Sequence, residues 1–216
     1  MPLRAHYQPR PPAWPLRLDI IHSHASSTGH YSLGAAAGSE GLGSRPAGPY
    51  NPAMAHKDYP KTNALRCLLE HGIAFEVFTY KYEERGGTRV SSRELGVEEH
   101  LMVKTLIMET DAHEPLIVLM HGDCEVSTRQ LARLLNVKSV APCDPKVAHR
   151  HSGYFVGGTS PFGTKRPMPV YCEASILDLE HIYINAGARG LLVRIDPKEM
   201  SKALDLTPAQ VAIPGR

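Results

Sequence analysis

The 216-residue chain lacks most of the short patterns that announce a chemistry. It holds no GxGxxG opening a helix and no GxxxxGK followed by Ser or Thr, which excludes both common nucleotide motifs. It has no GxSxG elbow and no HExxH. Its four cysteines, Cys67, Cys124, Cys143 and Cys172, form no CxxC and no zinc spacing. Scattered single cysteines in a chain of this size read as reduced thiols, so the expected location is the cytoplasm. Charge of one sign is also missing: the net value is only +2, which excludes a nonspecific polycation but leaves room for a local basic patch. The longest apolar runs, such as "PLIVLM", are strand-length, so no membrane span is expected. "LRLDII" is too short and interrupted for a signal peptide. What remains, 42% hydrophobic and 21% charged residues, is ordinary globular usage.

Residues 1–53 differ from the rest. "RPPAWP" and "GAAAGSEGLGSRPAGP" are too poor in periodic apolar residues to offset ordering entropy, so a disordered extension is expected there. Met54 stands just before the first structured-looking segment and is a candidate start. His22, His24 and His30 lie in this tail without carboxylate or cysteine partners, which reads as tail rather than metal tract. From Thr62 the signals become regular. "TNALRCLLEHG" predicts a helix with Leu65, Leu68 and Leu69 on one face and a stop at Gly72. "SSRELG" has Ser91 and Glu94 at capping-box spacing. "STRQLARLL" and "DPKVAHRH" predict helices capped by Ser127 and Asp144, the second with Pro145 at its first position, and "DPKEMSKALD" repeats the Asp-Pro start. "AFEVFTY", "LMVKTLIME", "PLIVLM", "GYFVGG", "MPVYCE", "HIYINAG" and "GLLVRI" read as strands. Without long helical crossovers, this mixture predicts one α+β domain, residues 54–216, on a curved mixed sheet.

Several residues invite a chemical reading. Alternation in "MVKTLIM" puts Val103, Thr105 and Ile107 on one face and Met102, Lys104, Leu106 and Met108 on the other. A lysine among large apolar neighbours either snorkels to water or is aimed into a pocket to bind an anionic or carbonyl group. Tyr80, at a strand end, is a packing residue with a wet hydroxyl or a pocket wall. His121, Asp123 and Cys124 tempt toward a Cys/His nucleophile, but adjacent strand positions point apart. His149 and His151 sit two apart on a helix and do not share a face for a metal. The stretch "YFVGGTSPFG", Tyr154 to Gly163, offers a main chain that something can approach closely, because glycine has no Cβ.

Together these segments resemble the YbaK/EbsC family of bacterial aminoacyl-tRNA editing proteins. "YFVGGTSPFG" is similar to the family's glycine-rich motif, "LMVKTLIM" to its lysine-bearing strand, and "HIYINAGARG" to its late strand, glycine turn and Arg-Gly. Order and spacing agree over roughly residues 60 to 205. The same domain occurs as the editing insertion of bacterial prolyl-tRNA synthetases, and this chain resembles the free-standing form. The resemblance implies a compact α+β domain with a mixed, partly barrelled sheet and flanking helices. It implies trans-editing hydrolysis of the ester on a misacylated tRNA, with Cys-tRNA(Pro) foremost and Ala-tRNA(Pro), typical of a sister subfamily, still open. A non-catalytic module that binds aminoacyl-tRNA or a synthetase is the alternative class. Carried over by residue, Lys104 matches the essential lysine and Gly157 the glycine whose backbone faces the ester. Tyr80, Thr105, Gly158, Ser160 and Asn185 match the surrounding pocket. The family is not known for a side-chain nucleophile; its proposed chemistry uses the substrate's own thiol or a tRNA hydroxyl. The implied partners are the acceptor end of tRNA(Pro) and prolyl-tRNA synthetase, with no DNA, membrane, metal or organic cofactor. Departures fall around the acyl pocket. Asn185 stands where the nearest relative in pattern has serine, Ala186-Gly187 where a double glycine is usual, and Gly87 about where it has phenylalanine. Lys165, Arg166 and Arg189 either contact acceptor phosphates or form a solvated face.

Overall fold

The computed structural model describes residues 59–215. The sequence expectations for residues 1–53, for Met54 and for His22, His24 and His30 lie outside the described residues.

The Thr62 side chain accepts a hydrogen bond from Leu65 N and starts α1, Asn63–Glu70. Its buried face is Ala64, Leu65 and Leu68; Leu69, expected on that face, is 60% exposed because it lies beyond the edge of the contact. Strand β1, Glu76–Thr79, follows. Helix α2, Gly87–Leu95, corrects the capping-box reading. The Gly86-Gly87 pair lets the chain turn early, so Ser91 falls inside the helix and donates to Thr88 O at 3.0 Å. After a 3-10 turn (Glu99–Leu101) come the long strand β2, Met102–Thr110, and β3, Pro115–His121, then the short β4, Cys124–Val126. Helix α3, Thr128–Leu135, begins as expected, with Ser127 accepting from Gln130 N. Beyond β5, Val140–Pro142, Asp144 accepts from Lys146 N and starts α4, Pro145–Ser152. Strands β6 (Val170–Glu173), β7 (Ile182–Asn185), β8 (Leu191–Ile195), β9 (Leu206–Ala209) and β10 (Ala212–Pro214) complete the chain. The second Asp-Pro start yields only a 3-10 helix, Pro197–Lys202.

"GYFVGG" is not a strand. No neighbouring strand pairs with it, and Phe155 and Val156 are 67% and 54% exposed. An aromatic and β-branched run has strand propensity, but propensity without a ladder partner does not make a strand.

The fold is α+β on a mixed sheet. Its order is β1-β8-β7-β2-β3-β6-β9, with β5 also on β2 and a separate β10-β4 ribbon. β2–β7, β3–β6 and β6–β9 are parallel and the other pairs antiparallel. Alternation along β2 sends Val103 and Ile107 into a large core under α1 and α4. The opposite face carries two separate apolar patches. One gathers Met108, Val118 and Met120 under Leu131 and Ala132 of α3. The other gathers Met102, Tyr183 and Leu192 with Leu95 of α2. Each fully buried large side chain contributes about 1.5–3 kcal/mol. Glu173 pins the C-terminal segment: its Oε2 accepts from Val211 N at 2.8 Å and Ala212 N at 2.7 Å.

Candidate active site

The sheet splits beside Lys104. β2 runs parallel to β7 through Val103, paired with Ile184, and then rejoins a neighbour on that edge only where Met108 faces Pro142 of β5. One step past the last β2–β7 pair stand Lys104 and Asn185, on the same face by alternation. Lys104 occupies the seam between the two apolar patches: Met102 belongs to one, while Leu106 and Met120, the cross-strand partner of Lys104, belong to the other. The half-buried lysine sends its ammonium to Gly122 O at 3.0 Å. One N–H is thereby fixed and two remain for a ligand. The snorkelling and pocket readings of Lys104 thus meet in one geometry.

Two buried side-chain oxygens lack a hydrogen-bond partner among the described residues, Thr105 Oγ1 and Asn185 Oδ1. Both belong to the split. A buried acceptor or hydroxyl without a partner costs roughly 1–3 kcal/mol, so each calls for an explanation. Asn185 is held in place from behind: Thr62 Oγ1 donates to Ala186 O at 2.5 Å, tying the start of α1 to the β7–β8 turn. Tyr80 packs on the same patch as Met102, and its backbone N–H donates to Gly190 O at 2.9 Å. Burial pushes its phenol up from the usual range.

The glycine-rich loop approaches from the edge. It is anchored in the large core by Tyr154 and Phe162 and closed by Tyr154 Oη donating to Phe162 O at 2.7 Å. Burial pushes the Tyr154 phenol up to about 12, so it stays a donor. Gly158 N–H donates to Phe155 O at 3.0 Å, closing a turn with Gly157 in the third position at φ +91. Val156, the second residue, has no positive φ, so the turn is of the type II kind, which demands glycine there. A Cβ on Gly157 would lie 2.7 Å from the Tyr82 hydroxyl. A Cβ on Gly158 would lie 2.7 Å from Ala188 C and Arg189 N, so this glycine lets the loop backbone touch the β7–β8 turn. Arg189 fixes the contact, donating from Nε to Val156 O at 3.0 Å with its guanidinium 5.1 Å from the Tyr82 ring centroid.

Lys104, Asn185 and Tyr80 therefore share one face and Thr105 enters the split from the other, while Gly157 and Gly158, the rim of the glycine loop, lie against Tyr82 and the β7–β8 turn. Ser160 is fully buried and accepts from Phe162 N at 3.3 Å. Tyr82 was missed by the sequence reading, although it lies two residues after Tyr80 and is the ring that touches Gly157. The Gly158 N–H is already used in the turn, which leaves Gly157 as the rim glycine with a main-chain donor to offer.

A second polar cluster lies under Lys104. It is His100, not His121, that meets Asp123, with Nδ1 3.0 Å from both carboxylate oxygens. Burial pushes Asp123 up, but His100 outweighs it and holds the carboxyl below its usual value. Cys124 donates to Asp123 Oδ1 at 3.5 Å, and burial followed by the Asp123 charge pushes the thiol up, the reverse of an activated nucleophile. The donor atoms of His100, Asp123 and Cys124 lie within 4.8 Å of one another, which is metal-ligand spacing, but here they bond to each other. His121 stacks on His100 and joins His100 O at 2.7 Å and Ser175 Oγ at 2.9 Å. Two surface grooves, of about 680 and 750 Å³, are present among the described residues; neither is lined by Lys104, Asn185 or Gly157. Among the described residues, no helix is long and apolar enough to cross a membrane.

Residues 87–203, which carry Lys104, the glycine loop and the β7–β8 turn, match the aminoacyl-tRNA editing domain. The chain belongs to that family. It is 29% identical over 157 residues to a protein of Enterococcus faecalis named "Putative Cys-tRNA(Pro)/Cys-tRNA(Cys) deacylase EbsC", covering 72% of this chain and 94% of the relative. It is 28% identical over 103 residues to a proline–tRNA ligase of Levilactobacillus brevis, of which the match spans only 18%. The crystal structure of a "putative trans-editing enzyme for prolyl tRNA synthetase" superposes with a TM-score of 0.64 at 19% identity, over 72% of this chain and 99% of that one, a likeness of fold.

Proposed function

We propose that the chain hydrolyses the aminoacyl ester of misacylated tRNA in trans, with Cys-tRNA(Pro) as its substrate. The observation that carries this reading is the pair of partnerless buried oxygens, Thr105 Oγ1 and Asn185 Oδ1, in a sheet split beside the free N–H groups of Lys104. Such a site is built to be completed by a polar ligand. The ester would lie at the rim, where Gly157 presents main chain rather than side chain. Lys104 would hold the terminal phosphate or the ester oxygen as a compact cation. Asn185 Oδ1 accepts, so it suits the substrate's α-amino group or a ribose hydroxyl. Cys124 is held as a thiol on Asp123, which favours attack by a group of the substrate or by water over a protein nucleophile. The name of the Enterococcus relative supports cysteine as the edited amino acid. The partners on this reading are the acceptor end of tRNA(Pro) and, by the partial match to a proline–tRNA ligase, the synthetase that releases it. The test is deacylation of tRNA(Pro) charged with Cys, Ala, Ser or Pro. Selective loss of the Cys ester is expected. Preference for Ala moves the chain to the sister specificity, and no hydrolysis of any ester replaces the enzyme with a binding module.

A further inference from the structure

The glycine-rich loop has a base as well as a rim. Its two ends, Gly153 and Gly163, line a groove of about 750 Å³ together with Arg66, His149, Arg150 and Lys165. The remaining lining, Asn63 and Thr164, is polar and uncharged, so the groove contains no carboxylate. Arg66 donates to Asn63 Oδ1 at 3.1 Å, and its one carboxylate partner among the described residues is Glu70 at a long 3.7 Å, both side chains being well exposed; such pairs contribute little. The other groove differs: Glu83 is part of its lining and pairs with Arg93 at 3.0 Å.

Between base and rim stands an aromatic with no evident fold role. Phe155 is 67% exposed, and its ring lies flat on His149, 4.4 Å between centroids and 14° between planes. His149 is itself fixed, with Nδ1 3.1 Å from Tyr154 O. One face of the Phe155 ring is thus backed by a held imidazole that lines the groove. Phe155 also precedes Gly157 by two residues and accepts the turn-closing bond from Gly158 N–H.

Cations along a groove and a rigidly backed exposed ring beside it form the combination that binds single-stranded nucleic acid. Phosphates meet the cations and an unstacked base meets the ring. We infer that the groove and the His149–Phe155 stack dock the unpaired 3′-terminal nucleotides of an RNA, with Arg150 and Lys165 on its phosphates and a base on Phe155. The inference rests on the proposed deacylase reading for the identity of the RNA, an aminoacyl-tRNA, but its test does not need hydrolysis.

The full chain is titrated by fluorescence anisotropy with a labelled acceptor hairpin carrying an unpaired 3′ CCA end, and with the same hairpin lacking that end. Phe155→Ala should weaken binding of the first about tenfold, within the range for one stacked base, and Phe155→Trp should restore it. The double variant Arg150→Ala/Lys165→Ala should reduce the slope of log K against log salt by about 1.4, at roughly 0.7 per single-strand phosphate. Unchanged melting of each variant separates binding from folding. Equal affinity for both hairpins, or wild-type affinity of Phe155→Ala together with an unaltered salt slope of the double variant, overturns the inference and leaves the deacylase reading standing. Binding as expected by a chain that hydrolyses no charged tRNA does the reverse.

Discussion

Replacing Gly157 with alanine should destabilise the glycine loop by an amount that the structure divides into two parts. The first is conformational: φ is +91 in the third position of the turn, and a non-glycine residue held in such a region costs about 1–3 kcal/mol. The second is steric. The added methyl meets Tyr82 at 2.7 Å to Oη and 2.8 Å to Cε2, so the ring must move, weakening its contact with Arg189, which is worth about 0.5–1 kcal/mol at an exposed site. A total of roughly 1.5–4 kcal/mol lowers Tm by about 3–16 °C in a domain of this size. The two parts are separable, because Tyr82→Ala removes the obstacle and not the φ strain. Melting of Gly157→Ala, Tyr82→Ala and the double variant should show a double cost smaller than the sum of the singles. Additive costs would place the whole effect in the backbone. A Gly157→Ala protein melting within about 1 °C of wild type would refute both parts. Turnover measured beside melting then tests the functional role: a folded Gly157→Ala chain with lost hydrolysis supports ester approach at this backbone, and unchanged hydrolysis removes Gly157 from the site.

Lys104→Ala should lower deacylation by about a hundredfold, the scale for one preorganised charge-stabilising donor, with little change in melting. The Thr88 hydroxyl lies 2.7 Å from Glu99 Oε1 and 3.2 Å from Gly122 O, so its single proton can turn to that carbonyl when the lysine is gone; normal turnover by Lys104→Ala would remove the lysine from the site. Burial holds the His121 imidazole below its ordinary value, although its bond to His100 O and the charges of Asp123 and Glu173 act the other way. Its contribution to stability should therefore be complete above the unfolded value of about 6.5 and decline as pH falls toward the folded value. Urea midpoints at neutral and mildly acidic pH should fall more steeply for wild type than for His121→Asn, and equal slopes would exclude His121 as the source. A chain starting at Met54 should keep turnover within about tenfold of the full chain, or ~1.4 kcal/mol of transition-state stabilisation; a greater loss would bring the tail into the site.

What the sequence made legible were features with a local cause. Ser127 and Asp144 cap the helices they precede, because a cap is a bond between near neighbours. The alternation in β2 separates Val103 and Ile107 from Met102 and Met108 as expected, because side-chain direction has a fixed period. The capping-box reading of Ser91 failed because glycines upstream moved the helix start, and the strand reading of "GYFVGG" failed because pairing is not local. Strands β4, β5 and β10, each three residues long, are too short for any period to show, and β9 carries Pro208, which argues against a strand. The candidate site was legible only in part. Lys104 stood out on its strand, whereas the split that gives it a purpose depends on where β7 ends and β5 begins. Tyr82 and the basic groove were invisible for the same reason: their neighbours come from segments far apart in sequence.

The split also makes a prediction about cost. Thr105 is 9% exposed and its hydroxyl has no partner among the described residues, while its neighbours Val103 and Ile107 on that face lie in the large apolar core. Valine has nearly the same shape without the hydroxyl. Replacing a partnerless buried hydroxyl by a methyl removes a desolvation penalty of about 1–3 kcal/mol, so Thr105→Val should be stabilising by roughly 1 kcal/mol, or about 2–4 °C in Tm. A protein retains such a cost where function uses the group, and stabilising changes at such positions commonly impair activity. Deacylation should accordingly fall, through KM if the hydroxyl holds the substrate in its ground state and through kcat if it acts only in the transition state. A stabilised variant with unaltered kinetics would show that Thr105 does not touch the substrate. A destabilised variant would show that the hydroxyl has a partner in solution, and the reading of the sheet split as a site awaiting its ligand would then rest on Asn185 alone.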